Sequence, residues 1–233
     1  MKPIVIMGNG PSMKKEYLDI IKDKKIDAIG MNAIYRLLKQ GSWFPKYYVC
    51  FDSSVTGSHH EEFLDLIKDQ SNGIYKFCFY KNNFKDLPEN PRVILKDIPP
   101  QFSKQKYQYV TTGTCSARFA IEMGYDVLIL VGIDCNYKEK VAERVTLPNT
   151  RATFRLTETP VNNPNYFFED YQVKGDVYNI PNAPYHRNAW LELSKHLKSY
   201  NVKVIQTSHI FQVNGFERQT FEEAIEKYFK ITL

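Results

Sequence analysis

Short apolar runs alternate along this chain with segments of helical period, and each run stops on small or polar residues. No other feature constrains the fold as much. Pro3–Met7 (PIVIM) stops at Gly8-Asn9-Gly10-Pro11-Ser12, and Asp27–Gly30 stops at Met31-Asn32. Tyr47–Phe51 (YYVCF) ends on Asp52, Tyr109-Val110 leads into Thr111-Thr112-Gly113, and Asp126–Val131 (DVLILV) closes on Gly132-Ile133-Asp134. Runs that are apolar at successive positions, not every second one, read as strands buried on both faces of a parallel sheet. The helices expected between them are about Lys14–Ile21 with Ser12 as N-cap, Ala33–Gln40 stopped by Gly41, Glu61–Ile67, and, after Thr111-Thr112-Gly113-Thr114, a small-residue helix to about Met123 stopped by Gly124. Tyr75–Tyr80, Val93–Leu95 and Val202–Gln206 add strands, and Asn188–Tyr200 and Phe221–Phe229 add helices. The alternation predicts an α/β fold, a mostly parallel sheet with helices on both faces.

From about residue 138 to 186 the periodicity disappears into NNPNYFFEDYQVKGDVYNIPNAPYH and its approaches. A patternless stretch of this length reads as a functional lid or partner-binding element, and its aromatics argue against simple disorder. The expected organisation is one domain over residues 1–233 with a lid over about 138–186. A chain of 233 residues buries enough surface to fold without disulfides or a structural metal. Cys50, Cys78, Cys115 and Cys135 form no CxxC pair and read as reduced core thiols, which fits a cytoplasmic protein. No run of about 18 apolar residues is present, and the first twelve residues are too short an apolar stretch for a signal sequence. The net charge of +5 reads as a lysine-rich solvated surface with some pull toward anionic ligands or a membrane surface. A nucleic-acid reader would need a basic helix or an aromatic platform motif, and neither is found.

Ligands of open α/β sheets bind beyond the carboxyl ends of the strands. Those ends here are Gly8-Asn9-Gly10, Asn32, Asp52, Thr111-Thr112-Gly113 and Gly132-Ile133-Asp134, small and polar as a phosphate-and-ribose pocket requires. The competing reading is that these residues only make tight turns. GxxxxGK[ST] is absent, GNGPSM lacks the third glycine of GxGxxG, no two aspartates stand two apart, and no His/Cys set has zinc spacing. His59-His60 reads as an exposed cap and His196 as a surface residue, while His209, after the last strand, reads either as a turn residue or as one that approaches the pocket. His186 ends the lid just before the Asn188 helix, where a near-neutral imidazole can act as a general base.

The segments IVIMGNGPS, Met31-Asn32-Ala33 and TTGTCSARFAIEMGYDVLILVGID, with the lid-to-helix histidine, resemble the bacterial sialyltransferases of glycosyltransferase family 42. They also resemble the wider group labelled MptE-like pterin diphosphokinases or motility accessory proteins. The resemblance covers residues 1–137, and 180–206 more loosely. It implies a Rossmann-like fold and a metal-independent, inverting transfer from a nucleotide sugar, CMP-sialic acid or another CMP-linked sugar, in surface polysaccharide or lipooligosaccharide synthesis. By that resemblance Gly8, Asn9 and Gly10, within the GNGPS run that Pro11 and Ser12 complete, face the donor's phosphate and sugar. Asn32 contacts the nucleotide, Thr111, Thr112 and Gly113 the ribose-phosphate side, and Asp52 and Asp134 close the neighbouring strand ends. Tyr137 and Tyr166 hold the leaving phosphate and His186 is the base. No metal and no cofactor are expected. The partners are the nucleotide sugar and a glycan or lipid-linked acceptor, with peripheral inner-membrane contact and homo-oligomerisation left open. The alternative is an MptE-like diphosphokinase acting on 6-hydroxymethyl-dihydropterin with ATP and Mg²⁺ held by Asp52 and Asp134. A third reading is a nucleotide-sensing or assembly module.

Overall fold

The computed structural model describes residues 1–85, 87–97, 109–138, 140–147 and 153–233. The main sheet contains β1 (Pro3–Met7), β2 (Ala28–Met31), β3 (Tyr47–Cys50), β4 (Lys76–Tyr80), β5 (Val93–Lys96), β6 (Val127–Val131), β10 (Lys203–Gln206) and β11 (Glu217–Arg218). The helices are α1 (Lys15–Asp23), α2 (Tyr35–Gln40), α3 (Ser53–Ser58), α4 (His60–Lys68), α5 (Thr112–Glu122), α6 (Ala183–Leu197) and α7 (Phe221–Phe229). Strand order is β11-β10-β6-β1-β2-β3-β4-β5 and every pairing is parallel, so the expected Rossmann-like α/β architecture is the one observed.

The period of two along each strand sends its side chains into two cores. Ile4 and Ile6 of β1, with Leu128 and Leu130 of β6, pack on α5 and α6 through Phe119, Trp190 and Leu193. Val5, Met7, Ile129 and Val131 face the other way, toward Leu18 and Ile21 of α1, Phe63 of α4 and Ile225 of α7. All eight strand residues are fully buried, each contributing roughly 1.5–3 kcal/mol relative to exposure. The four described cysteines are free and buried, as read. Among the described residues no helix is long and apolar enough to cross a membrane.

The segment over 138–186 differs from the patternless loop that its sequence suggests. It holds a three-stranded antiparallel sheet of β7 (Arg144–Thr146), β8 (Thr153–Leu156) and β9 (Val177–Asn179). Phe154, Leu156 and Tyr178 turn inward to the larger core while Arg155 turns out. Strands of three or four residues are too short for that alternation to stand out in sequence. Tyr109-Val110 is not strand; the Tyr185 hydroxyl donates to Val110 O at 3.2 Å and accepts from Val110 N at 2.9 Å. Ser12 does not cap a helix, since α1 starts three residues later without a side-chain cap.

The β7–β9 sheet is fastened to the main body by a buried ion pair. Arg36 of α2 donates through Nη1 to Asp176 Oδ2 at 2.6 Å, through Nη2 to Asp176 Oδ1 at 2.9 Å, and through Nη1 to Tyr171 O at 3.2 Å. Val173 N and the Tyr178 hydroxyl also donate to Asp176 Oδ2, and His59 Nε2 lies 3.4 Å from Oδ1. His59 is therefore fully buried at the junction of α3 and α4, not an exposed cap. His60 stacks on Phe84 with ring centroids 5.2 Å apart.

Candidate functional site

A cavity of about 730 Å³ opens at the carboxyl ends of the strands, where the order reverses between β1 and β6. Gly8, Asn9, Gly10, Asn32, Asp52, Thr111, Thr112, Gly113, Asp134, Tyr137, Tyr166 and His186 all line it; Pro11 and Ser12 do not. Those at the strand ends, from Gly8 to Asp134, share one wall because the parallel sheet aligns its strand ends, whereas Tyr137, Tyr166 and His186 reach the cavity from the segment after β6, the insertion and α6.

The glycines answer first to the chain itself. Gly8 N donates to Val131 O at 2.7 Å and Gly10 N to Gly132 O at 2.9 Å, zipping the two loops together. A Cβ on Gly8 would lie 2.3 Å from Gly132 O, and one on Gly10 2.3 Å from Asp134 Oδ2. Asp134 is committed within this joint. Its Oδ2 accepts from Ser12 N at 2.8 Å, and its Oδ1 accepts from the Ser12 and Ser208 hydroxyls. Ser208, next to the exposed His209, is a partner that the sequence reading missed.

Asn9 is buried; its Nδ2 donates to Met31 O at 3.2 Å and its Oδ1 has no partner among the described residues. Asn32 sits at φ +53°, a left-handed conformation that asparagine tolerates, and accepts from the Cys50 thiol on Oδ1. Thr111 caps α5 in a capping box with Thr114, and Thr112 Oγ1 accepts from Phe51 N at 3.2 Å. The amides of Thr112 and Gly113, first on α5, have no acceptor within the helix, and both residues line the cavity. That end of an eleven-residue helix suits an anion.

The opposite wall comes from the antiparallel insertion and adds Tyr171, Gln172, Tyr178 and Asn179, which the sequence reading did not single out. Phe167 N donates to Asn9 O at 3.2 Å, docking this segment on the glycine loop. Tyr166 stacks on Tyr171 at 3.7 Å between centroids. Burial pushes the phenols of Tyr137, Tyr166 and Tyr171 well above their usual range, so all three remain hydrogen-bond donors at neutral pH.

His186 lies within the second turn of α6, not before a helix. Asn182 caps α6 by accepting from Tyr185 N at 2.9 Å, and Pro184 sits in the first turn, so the helix starts five residues earlier than read. The His186 ring lies against Tyr137 at 5.2 Å, and among the described residues no carboxylate supports it. Burial lowers its pKa to about 4, so the imidazole is neutral at physiological pH rather than half-protonated. Asp52 moves the other way, because burial raises its carboxyl above the usual range.

Two solved structures resemble this fold at low identity. The MAf glycosyltransferase from Magnetospirillum magneticum AMB-1 matches at TM-score 0.49 and 17% identity over 94% of this chain and 33% of that one. This chain therefore spans about a third of that protein's length. The α-2,3/8-sialyltransferase CstII matches at TM-score 0.47 and 18% identity over 88% of this chain and 81% of that one. No curated protein matches the sequence. The family model described as "6-hydroxymethylpterin diphosphokinase MptE-like" matches residues 1–140, through both glycine loops and to the start of the insertion. With more than half of its length covered by that model, this chain belongs to the MptE-like family.

Proposed function

We propose that the protein is a metal-independent glycosyltransferase whose donor is a CMP-linked nucleotide sugar, CMP-sialic acid being one candidate. The observation that carries this reading is the internal commitment of Asp134. With both its oxygens engaged by Ser12 and Ser208, Asp52 Oδ2 is the acidic oxygen left to the described wall. Pyrophosphate transfer runs on Mg²⁺ held by carboxylates, and this donor set fits such a site poorly. It fits a ligand whose single phosphate is met by the Thr112 and Gly113 amides and by the Tyr137 and Tyr166 hydroxyls. As the phosphate leaves, those donors stabilise its growing charge. The neutral His186 imidazole takes the proton of the acceptor hydroxyl as the new bond forms at the anomeric carbon. The sequence resemblance to family 42 supports the same assignment and a role in building surface glycans.

The family's description favours a second reading, transfer of pyrophosphate from ATP to a pterin. Incubation with a CMP-linked sugar in EDTA, with free CMP followed by chromatography, separates the two. The glycosyltransferase reading expects CMP release that His186→Ala suppresses. AMP formed from ATP only when Mg²⁺ and pterin are present would instead establish the diphosphokinase.

A further inference from the structure

Asp52 follows β3 and caps α3, and its two oxygens are used differently. Oδ1 accepts from Ser54 N at 2.9 Å, Val55 N at 3.2 Å and Asn179 Nδ2 at 3.0 Å. The Asn179 amide is itself oriented, because its Oδ1 accepts from the Ser54 hydroxyl at 3.0 Å. Oδ2 has no protein partner among the described residues, and Asp52 lines the cavity. Tyr137, Tyr166 and Tyr171, whose phenols are close enough to interact electrostatically with Asp52, line the same cavity. Gln172, which is buried and accepts from Asn163 Nδ2 on Oε1, lines the cavity as well.

With Oδ1 pinned by three N–H groups, the side chain has one orientation, and it presents a hydrogen-bond acceptor to the ligand. An asparagine here would be held the same way: its oxygen must meet the three donors, so its NH₂ group would face the cavity. The choice between aspartate and asparagine at this position therefore inverts the polarity of the wall.

We propose that Asp52 is a specificity-determining residue, accepting a hydrogen bond on Oδ2 from a hydroxyl or amino group of the nucleotide-sugar ligand and turning away a carboxylate or carbonyl at that place. The proposal deepens the nucleotide-sugar reading and rests on it. A hydroxyl or amino group there gives Oδ2 the donor that the protein does not supply, whereas a carbonyl or carboxylate brings a second acceptor and no hydrogen.

The test is calorimetric titration of wild type, Asp52→Ser and Asp52→Asn with CMP-N-acetylneuraminate, and with CMP alone. Serine and asparagine both cap helices, so both variants keep α3, and a thermal melt checks that they do. The proposal expects the order wild type, then serine, then asparagine. Serine removes the acceptor, and asparagine adds a donor facing a donor, with a loss of about tenfold or more for asparagine. The same order with CMP alone places the hydroxyl on the ribose; with the sugar-bearing probe only, on the sugar. Equal affinities, or tighter binding by the asparagine variant, overturn the proposal while leaving the nucleotide-sugar reading intact. Failure of wild type to bind either probe overturns both.

Discussion

Removing the Asp176 carboxylate while Arg36 stays is the perturbation with the largest consequence for how the two cavity walls meet. The side chains are only 14% and 8% exposed, and their two-pronged contact measures 2.6 and 2.9 Å. Asp176→Ala leaves the guanidinium buried with Tyr171 O as its remaining acceptor among the described residues, and strands Val173 N, while the Tyr178 hydroxyl keeps Tyr171 O as its acceptor at 2.9 Å. Breaking a buried pair from one side costs about 3–5 kcal/mol. For a chain of this size each kcal/mol moves Tm by roughly 2–4 °C, so a fall of about 10 °C is expected. The paired replacement Arg36→Met with Asp176→Leu, which removes both charges, is expected to recover most of that loss. The Asp176 carboxyl titrates well below the usual carboxylate range, held down by Arg36 and by hydrogen bonds from its other partners despite its burial. A depressed folded-state pKa gives stability that is present above the unfolded value, near 3.9, and is lost as pH falls below it. Wild type should therefore lose stability more steeply than Asp176→Ala below about pH 4. Chemical denaturation across pH 2–7 measures both effects. A loss under about 1 kcal/mol at pH 7, or a double variant as unstable as the sum of the singles, would refute the reasoning.

Further outcomes are expected at three positions. His186→Ala should lower turnover by about 10²–10⁴-fold with donor affinity retained, while His196→Ala changes little; parallel rate and binding measurements check this. Because the His186 pKa is lowered to about 4, wild-type turnover should stay level down to about pH 5 and fall only below it. The same shift withdraws stability as pH falls from about 6.5 toward 4, to a limit of roughly 3 kcal/mol that the alanine variant lacks. Gly10→Ala should destabilise by about 1–3 kcal/mol in a denaturant titration, because its Cβ must displace the Asp134 carboxylate and with it the Ser12 and Ser208 contacts. Thr111→Ala opens the capping box, costs about 0.5–2 kcal/mol, and should weaken anion binding at the start of α5, read by phosphate or CMP titration.

The sheet was legible because its signal is local. β1 and α7 were read at their observed bounds, and the alternation of Ile4 and Ile6 against Val5 and Met7 resolves into two cores. The strand-end half of the cavity followed from the same logic, since a parallel sheet places Gly8, Asn32, Asp52 and Asp134 at one edge. What was missed depends on partners far apart in sequence or on elements too short to show a period. α3 is six residues of serine, valine, threonine and glycine, without an amphipathic pattern. β8 reveals its inward Phe154 and Leu156 only once Arg155 is known to face out. The early start of α6 had a readable signal in Asn182-Ala183-Pro184, a cap followed by a first-turn proline. The Asn179–Asp52 contact spans 127 residues and no local pattern announces it.

Calorimetric titration of the purified chain with CMP in the presence of EDTA tests the central claim most directly. The account predicts saturable one-site binding that added Mg²⁺ leaves within about threefold, and that Thr111→Ala weakens. Binding of CMP only when Mg²⁺ is supplied, or of ATP with Mg²⁺ and no binding of CMP, would contradict it.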